Sequence, residues 1–476
     1  MFKGILWDLF EKVSNQGIGF FISIILARLL SPEQFGLVGM VMVFVGMSQI
    51  FLYLGLGQAL IQKRIVSDIE YSSVFYLNVF AGLVLTIILY FSSGLIAEFY
   101  QRPEVKPICE VLSVLFIIDS FIIVQISLFT KKLDFKKPAI ARVIATVVSG
   151  GLGIIMALNG YGVWSLVMQS LLSALLFVVV IWIASNWRPG LHFELNAIKG
   201  LWGFSSRLFL SGILDGIFSR LDIVIIGKMF SANTLGFYTR AQTFNNLISQ
   251  YTSGSIGRVF FPSISIIQDN TEEVRLFYKK TINIVSFLVF GLLGFLLLCA
   301  TDIFIFLFTV KWLPAVTYFK LLLLSGYVYP LSVIMIGVLS GRGKSGKFLK
   351  LEILKKALVI FAFIIGFAWG IVEFLYGLAL VNFLSLLLNM YFVQNEIRYP
   401  LKQQFQLVFG YSLIAAISSL MVLFITPWFS DVTILYIIQT GLLFSTIYIL
   451  LNLILRTPGL SYLVMKFKEI LIKYAH

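Results

Sequence analysis

The chain of 476 residues is 59% hydrophobic and 12% charged, and its mean hydropathy is +0.97. Soluble domains are about 45–50% apolar and about 25% charged, so this composition excludes a soluble globular protein and indicates an integral membrane protein. The apolar segments are about 20 residues or longer, which suits helices that cross roughly 30 Å of hydrocarbon, whereas barrel strands need only about 9–11 residues. We therefore expect an all-α integral membrane protein.

Fourteen apolar segments predict about fourteen transmembrane helices, here called spans 1 to 14. The spans lie near residues 13–30, 35–61, 73–96, 108–129, 139–158, 161–184, 204–229, 236–261, 279–299, 316–339, 350–370, 372–393, 405–425 and 432–455. Asn159 and Gly160 predict a tight hairpin between spans 5 and 6, and Gly370 to Glu373 predict another between spans 11 and 12. The first sixteen residues contain two acids and lack a clear small-residue cleavage site, so we expect them to be retained and not removed as a signal peptide.

The basic residues are distributed unequally between the two sides of the predicted membrane. If the N-terminus is inside, 26 of the 36 lysines and arginines lie in inside segments and adjoining helix ends, six lie outside and four lie within spans. Because the cytoplasmic segments of membrane proteins carry an excess of Lys and Arg, this asymmetry predicts that both termini are cytoplasmic. It also accounts for the net charge of +14 without a nucleic-acid partner.

One stretch of the chain occurs twice, at an offset of 200 residues. Residues 24–36 read IILARLLSPEQFG and residues 224–236 read VIIGKMFSANTLG. The matched positions include Arg28 with Lys228, Ser31 with Ser231 and Gly36 with Gly236. We interpret this similarity as an internal duplication.

The duplication predicts how the spans are grouped. Spans 1 and 7 carry the two copies and run in the same direction, so the repeat is parallel. The predicted domains are an N-terminal six-helix lobe (1–199), a second six-helix lobe (200–396), and spans 13 and 14 with a cytoplasmic tail (397–476). Parallel six-helix halves are typical of transporters.

Spans 7 and 8 are the most polar pair in the chain. Ser211, Asp215, Ser219 and Asp222 follow one another at spacings that place them on one helix face. Polar and basic residues on span 8 continue the pattern, and these are Arg240, Gln242, Asn246, Ser249, Ser253 and Arg258. A charge at the bilayer centre costs about 2.5–3.5 kcal/mol, so we expect these side chains to face protein or water.

Two interpretations of these polar residues stay open. The first is a water-filled cavity whose cations attract an anionic substrate. The second is a set of buried ion pairs and interhelical hydrogen bonds that hold the bundle together, in particular between Arg220 and Asp222. Arg28 and Lys228 lie near the outer ends of spans 1 and 7, where each is either an interfacial anchor or a substrate contact.

A basic turn between spans 10 and 11 resembles a nucleotide-binding loop. GRGKSGKF at 341–348 has the glycine and lysine positions of a P-loop, but Phe348 stands where Ser or Thr should follow. It also connects two membrane helices and does not follow a buried strand. We interpret it as a cytoplasmic turn that can contact anionic lipid head groups, and we expect no enzyme activity, metal site or organic cofactor.

Four segments carry a family resemblance. They are ILARLLSPEQFGLVGM at 25–40, RLDIVIIGKMFSANTLGFYTRAQTF at 220–244, FFPSIS at 260–265 and KWLPAV at 311–316. In order and spacing they resemble the polysaccharide transporter family of the multidrug/oligosaccharidyl-lipid/polysaccharide exporter superfamily. Within it the chain is most similar to the Wzx-type flippases, in the branch that includes colanic acid and teichuronic acid exporters. The resemblance covers spans 1 to 12.

The resemblance implies a function in the bacterial cytoplasmic membrane. A flippase of this kind moves an undecaprenyl-diphosphate-linked oligosaccharide, the repeat unit of a surface polysaccharide, to the outer leaflet by alternating access. Other polysaccharide assembly proteins would be further partners. The candidates for substrate binding are then the family-like positions Arg28, Arg220, Asp222, Lys228 and Arg240, together with Gln242, Asn246 and Arg258.

An ion-coupled antiporter of drugs or small solutes is the alternative within the same superfamily. It would depend on an intramembrane carboxylate such as Asp215 or Asp222 and would exchange its solute for H⁺ or Na⁺. The same two carboxylates are the candidates for ion coupling in a flippase. A membrane polymerase or ligase of glycan assembly would need substantial external loops with catalytic residues, and the sequence has none between its spans.

Overall fold

The computed structural model describes residues 2–53, 55–426 and 433–465. Within these ranges the chain folds into helices joined by short connections, and no strand occurs there. Ten helical segments of this described part are long and apolar enough to cross a membrane. The expectation of an all-α, multi-pass membrane protein is confirmed, while fourteen crossings and two parallel lobes stay predictions.

The chain forms two compact units, Met1–Thr239 and Arg240–His476. The helices of the first unit are α1 (Phe2–Leu29), α2 (Pro32–Tyr53), α3 (Leu56–Gln62), α4 (Asp68–Tyr100), α5 (Val105–Leu112), α6 (Leu115–Ser120), α7 (Ile123–Lys131), α8 (Lys136–Leu158), α9 (Val163–Ala184), α10 (Leu195–Phe218), α11 (Leu221–Met229) and the first turns of α12 (Ala232–Ile266). The predicted domain boundaries at residues 199 and 396 concern the sequence repeat and stay predictions.

The central helix of the first unit is α2. It packs against α4, α5, α6, α9, α10 and α11. On one side of the unit, α8 and α9 form a hairpin and α1 packs along α8. The hairpin turns through Gly160 at φ +80° and Gly162 at φ +56°, backbone angles that favour glycine, so the predicted turn is confirmed.

In addition to a helical stretch at residues 458–465, the second unit contains the rest of α12 and seven α-helices among its described residues. They are α13 (Thr271–Phe308), α14 (Leu313–Gly326), α15 (Val328–Gly341), α16 (Ser345–Trp369), α17 (Ile371–Ile397), α18 (Leu401–Ile425) and α19 (Thr433–Ile454). Its central helix is α13, which packs against α14, α15, α17, α18 and α19. The predicted turn between α16 and α17 is confirmed at Gly370, whose φ is +126°.

Several predicted spans are interrupted helices. Span 2 is divided into α2 and α3 before Gly55, span 7 into α10 and α11 at Arg220, and span 10 into α14 and α15 at Tyr327. Span 4 is divided into α5, α6 and α7. Hydrophobicity did not reveal these interruptions because apolar residues continue on both sides of each.

The two copies of the sequence repeat touch each other at a pair of glycines. A β-carbon on Gly36 would overlap the carbonyl oxygen of Ala232, and a β-carbon on Gly236 would overlap the carbonyl oxygen of Pro32. The two contacts are equivalent at the offset of 200, so the first turns of α2 and α12 meet symmetrically. Glycine at both positions lets the two helix backbones approach closely, as small residues do in membrane helix packing.

In the second unit, the basic turn that resembles a P-loop is bound to a buried carboxylate. Arg342 donates to the Glu396 carbonyl oxygen at 2.8 Å, and its Nε lies 3.5 Å from the Glu396 carboxylate. Lys347 contacts the other carboxylate oxygen at 2.6 Å, and the Glu396 side chain is 5% exposed. Two cations of the turn therefore have a structural role, and its cytoplasmic location stays a prediction.

We expect Gly36→Ala and Gly236→Ala each to destabilise the protein by about 1–3 kcal/mol, because the added methyl group would overlap a backbone oxygen that cannot rotate away. Gly39→Ala is the matched control, since its β-carbon would meet side-chain atoms of Leu235 and Thr239 at ordinary distances of 3.6–3.9 Å. All three variants gain the same helix propensity, so the difference reports the contact. Melting temperatures in detergent measure it, and equal values for Gly36→Ala and Gly39→Ala would contradict the close approach.

We expect Glu396→Ala to lower stability by roughly 1.5–3 kcal/mol, because it leaves Arg342 and Lys347 without their shared carboxylate. Glu272→Ala is the control, since its partner Arg275 lies one helical turn away and both side chains are exposed. Thermal unfolding of the two variants measures the difference. If Glu272→Ala lost as much stability as Glu396→Ala, the burial of Glu396 would not account for the effect of its removal.

Candidate functional site

The two copies of the repeat place a cation at the end of one helix and a cap at the start of the next. Ser31 and Gln34 form reciprocal bonds at the start of α2, with Ser31 N to Gln34 Oε1 at 2.9 Å and Gln34 N to Ser31 Oγ at 3.3 Å. At the start of α12, the Ser231 hydroxyl accepts from the Thr234 amide at 3.1 Å. The repeat motif is thus a helix N-cap, which sets the turn after each basic residue.

Arg28 and Lys228 occupy the last turns of α1 and α11, and both are exposed. The Lys228 ammonium donates to the Phe99 carbonyl at the end of α4 and lies 4.8 Å from the centroid of the Phe99 ring. A cation at a helix C-terminus interacts favourably with the helix dipole. Lys228 therefore has a partner within the protein, in addition to the roles of interfacial anchor and substrate contact considered from the sequence.

Arg220 and Asp222 flank the interruption between α10 and α11. Arg220 is the residue before α11, and its guanidinium lies against Gly46 in the middle of α2. Asp222 lies in the first turn of α11, and its Oδ2 accepts a hydrogen bond from the hydroxyl of the buried Tyr238. Both charges predicted for the membrane interior of span 7 are thus in contact with protein.

Arg240, Gln242 and Asn246 belong to the second unit. Arg240 is 5% exposed, and its guanidinium carbon lies 5.2 Å from the Phe308 ring centroid and 5.1 Å from the Trp312 centroid. Aromatic faces attract a guanidinium and shield it from lipid. Gln242 is partly buried and Asn246 is exposed, so the three residues differ in their exposure at the protein surface.

Two of the predicted residues cannot be placed at side-chain level. The side chains of Asp215 and Arg258 lie outside the described residues, although both positions are within helices, α10 and α12. Of the other predicted residues, the first unit contains Arg28, Arg220, Asp222 and Lys228, and the second contains Arg240, Gln242 and Asn246.

A partly buried acid that the sequence reasoning missed lies on the interrupted span 4. Asp119 of α6 accepts a hydrogen bond from Gln49 of α2, with Nε2 to Oδ2 at 2.9 Å. Arg142 of α8 and Tyr53 of α2 interact electrostatically with the same carboxylate. A useful signal was present in the sequence, because Asp119 is an acid near the middle of an apolar span.

The interruptions around Asp119 are supported by hydrogen bonds from neighbouring helices. Thr86 of α4 donates to the Ser113 carbonyl between α5 and α6, at 3.0 Å. The Trp182 indole of α9 donates to the Phe121 carbonyl between α6 and α7, also at 3.0 Å. Backbone groups that leave a helix inside a membrane need such partners, so these interruptions are built into the fold.

A cavity of about 440 Å³ lies within the first unit beside this segment. Its apolar wall includes Ile122 and Ile126, and its polar groups include Gln58, Ser127 and Arg142. The Arg142 guanidinium lies over the Phe177 ring, with its central carbon 3.3 Å from the ring centroid. The cavity therefore combines one cation, hydrogen-bonding groups and an apolar wall, a combination suited to an amphipathic anion.

The described residues contain no group of three or more His, Cys, Asp or Glu side chains able to hold a metal ion. The polar groups of the first unit described above are cations, carboxylates, amides and hydroxyls, and several of them lie beside helix interruptions. Such groups can bind and release a polar ligand within a membrane protein.

Three curated proteins are similar in sequence to much of this chain. The lipopolysaccharide biosynthesis protein WzxC of Escherichia coli K12 is 24% identical over 398 residues, covering 82% of this chain and 80% of its own. The succinoglycan biosynthesis transport protein ExoT of Rhizobium meliloti is 26% identical over 347 residues, covering 72% and 69%. The teichuronic acid biosynthesis protein TuaB of Bacillus subtilis is 28% identical over 289 residues, covering 59% and 58%.

Two solved structures show the fold. The lipid II flippase MurJ, in an inward closed conformation, superposes with a TM-score of 0.76 at 16% identity and covers 95% of this chain and 99% of its own. An inward-facing multidrug resistance MATE transporter superposes with a TM-score of 0.61 at 17% identity, covering 84% and 99%. At this identity the similarity establishes the architecture and not the substrate.

A family model described as "Polysaccharide biosynthesis protein" matches residues 25–317, which is more than half of the chain. The match includes both copies of the repeat and the segments from which the family resemblance was drawn. The resemblance is therefore confirmed, and the chain belongs to this polysaccharide biosynthesis protein family, with the fold seen in MurJ and MATE transporters.

Proposed function

We infer that the protein is a flippase that moves undecaprenyl-diphosphate-linked oligosaccharide from the cytoplasmic to the outer leaflet of a bacterial cytoplasmic membrane. The observation that carries this inference is the family match over residues 25–317, supported by relatives named for polysaccharide biosynthesis and transport. The MurJ-like fold supports transport and not catalysis. The protein is accordingly a transporter and not an enzyme.

The chemistry of the described side chains suits such a substrate. A diphosphate needs cations, and the candidates are Arg28 and Arg220 in the first unit and, considered separately, Arg240 in the second. A glycan needs hydrogen-bonding groups such as Gln242 and Asn246. The lipid chain needs only apolar surface, so it can stay in the bilayer while the head group crosses.

The remaining parts of the proposal concern topology and cycle. The protein would cross the membrane fourteen times, in two parallel six-helix lobes plus two helices, and the sequence repeat supports this arrangement. The distribution of basic residues supports a cytoplasmic location of both termini. The lobes would expose the substrate site alternately to each side. A coupling ion, H⁺ or Na⁺, would supply direction, with Asp215 and Asp222 as the carboxylates first considered, and other polysaccharide assembly proteins would deliver or receive the glycan.

An ion-coupled antiporter of drugs or small solutes is the second candidate. The MATE-like fold favours it, because that fold carries multidrug transporters. The polysaccharide family match favours the flippase instead, and it covers the repeat motifs themselves.

Reconstituted protein should move a fluorescent undecaprenyl-diphosphate oligosaccharide between leaflets faster than protein-free liposomes do. A membrane-impermeant quencher measures the fraction of label in the outer leaflet over time. The same vesicles loaded with a cationic dye provide the second arm. Dye movement without glycan movement would reject the flippase and support the antiporter.

We expect Arg220→Ala to slow glycan flipping about tenfold to a hundredfold, since a charge-assisted bond to phosphate contributes roughly 1.5–3 kcal/mol. Arg220→Lys should recover part of the rate, because it keeps the charge but loses the planar fork. Arg275→Ala is the control, since its exposed guanidinium pairs with Glu272 within one helix. Flipping by Arg220→Ala at the wild-type rate, in protein of normal melting temperature, would remove Arg220 from the substrate site.

A further inference from the structure

We propose that Asp119 carries the coupling proton of the transport cycle, with Gln49 as its positioning partner. This inference rests on the proposed flippase function and names the group that would couple it to a proton gradient. It adds Asp119 to the candidates Asp215 and Asp222, because Asp119 lies near the middle of an apolar span, on a short helix with a helix break on each side.

The position of Asp119 in the predicted membrane makes the energy of the protein depend on whether this carboxyl group is protonated. The apolar segment Val105–Lys131 contains it near its middle, so the carboxylate lies deep in the predicted membrane. An ionised acid at that depth costs about 2.5–3.5 kcal/mol in lipid, whereas the protonated acid is neutral. Asp119 itself is partly exposed in the structure.

The groups around Asp119 support both charge states. Gln49 of α2 donates to Oδ2 at 2.9 Å, and an amide can also accept a bond from a protonated acid. The titratable groups acting on it are Tyr53 of α2 and Arg142 of α8. From α4 and α9, which also pack on α6, Thr86 and Trp182 bind backbone carbonyls at the two interruptions.

The carboxylate belongs to a short helix that is separated from its neighbours. Helix α6 spans Leu115–Ser120, and an interruption lies on each side of it. A β-carbon on Gly82 of α4 would come within 2.7 Å of the Phe116 carbonyl oxygen, so α6 packs closely on α4 at one face. A charge change on such a segment can bias its position, and this is how protonation switches other proteins.

The second half of the chain shows that packing alone does not require an acid here. Its corresponding span, divided into α14 and α15, contains no Asp or Glu between Leu313 and Gly341. The lobe therefore folds with an interrupted helix that lacks a carboxylate. Of these two spans, only the one in the first half therefore contains a carboxylate.

The proposed step balances without any other reactant. A proton from the outer water adds to the Asp119 carboxylate and forms the neutral acid. The empty protein then returns to its inward-facing state, and the acid releases the proton to the cytoplasm. One proton thus moves inward for each return, while the glycan moves outward on the loaded step.

The test uses full-length protein in liposomes with labelled undecaprenyl-diphosphate oligosaccharide. For the wild type, we expect a gradient that is acidic on the periplasmic side to accelerate flipping several-fold. For Asp119→Asn, the ratio of rates with and without the gradient should fall to one, and Asp119→Glu should restore part of it. Glu110→Gln is the matched control, since Glu110 lies on α5 of the same span and accepts from Ser93 at 3.3 Å.

A second measurement does not depend on flipping. Infrared difference spectra of the purified protein between acidic and alkaline pH should contain a protonated-carboxyl band that Asp119→Asn lacks and Glu110→Gln keeps. A band unchanged in Asp119→Asn, or a gradient response that survives in it, would overturn the proposal. If the wild type showed the band without moving glycan, the proposed function would fail while Asp119 would remain a proton site.

Discussion

The cost of leaving a polar group in hydrocarbon is the constraint on which the rest of this structure depends. It explains why the described membrane segments are helices, and why each interruption of span 4 is accompanied by a donor from another helix, Thr86 or Trp182. It also explains why Asp222 and Arg240 are held by aromatic neighbours within the protein. The contacts that lower the energetic cost of these buried charges therefore also fix their positions.

Much of the fold could be predicted because hydrophobicity and turn residues act locally. Apolar length placed the helices, and Gly160 and Gly370 marked two hairpins that the structure contains. The interruptions could not be predicted, because they depend on partners far away in the sequence. Thr86 precedes the carbonyl that it binds by 27 residues and Trp182 follows its own by 61, and no local pattern joins them.

The candidate site was predicted to a smaller extent. The repeat and the polar stripe led to Arg220, Asp222 and Lys228, whose contacts with α2, α12 and α4 became visible only in the structure. Asp119 was missed because a single acid has no periodicity. Arg142 was not among the predicted site residues, although its guanidinium lies on Phe177 in the wall of a cavity. Side-chain direction, which determines such roles, is a tertiary property.

The symmetric glycine contact between α2 and α12 also bears on the origin of the chain. Gly36 contacts the backbone at Ala232, and Gly236 contacts the backbone at Pro32. The two copies of the motif therefore contribute the same surface to the contact. Such self-complementary contacts are those of two-fold homodimers. A half-length ancestor with one copy of the motif would form this contact between identical subunits, and every mutation in it would appear twice. Fusion of two such genes would remove that restriction, so that one half contains a carboxylate such as Asp119 while the other has none between Leu313 and Gly341.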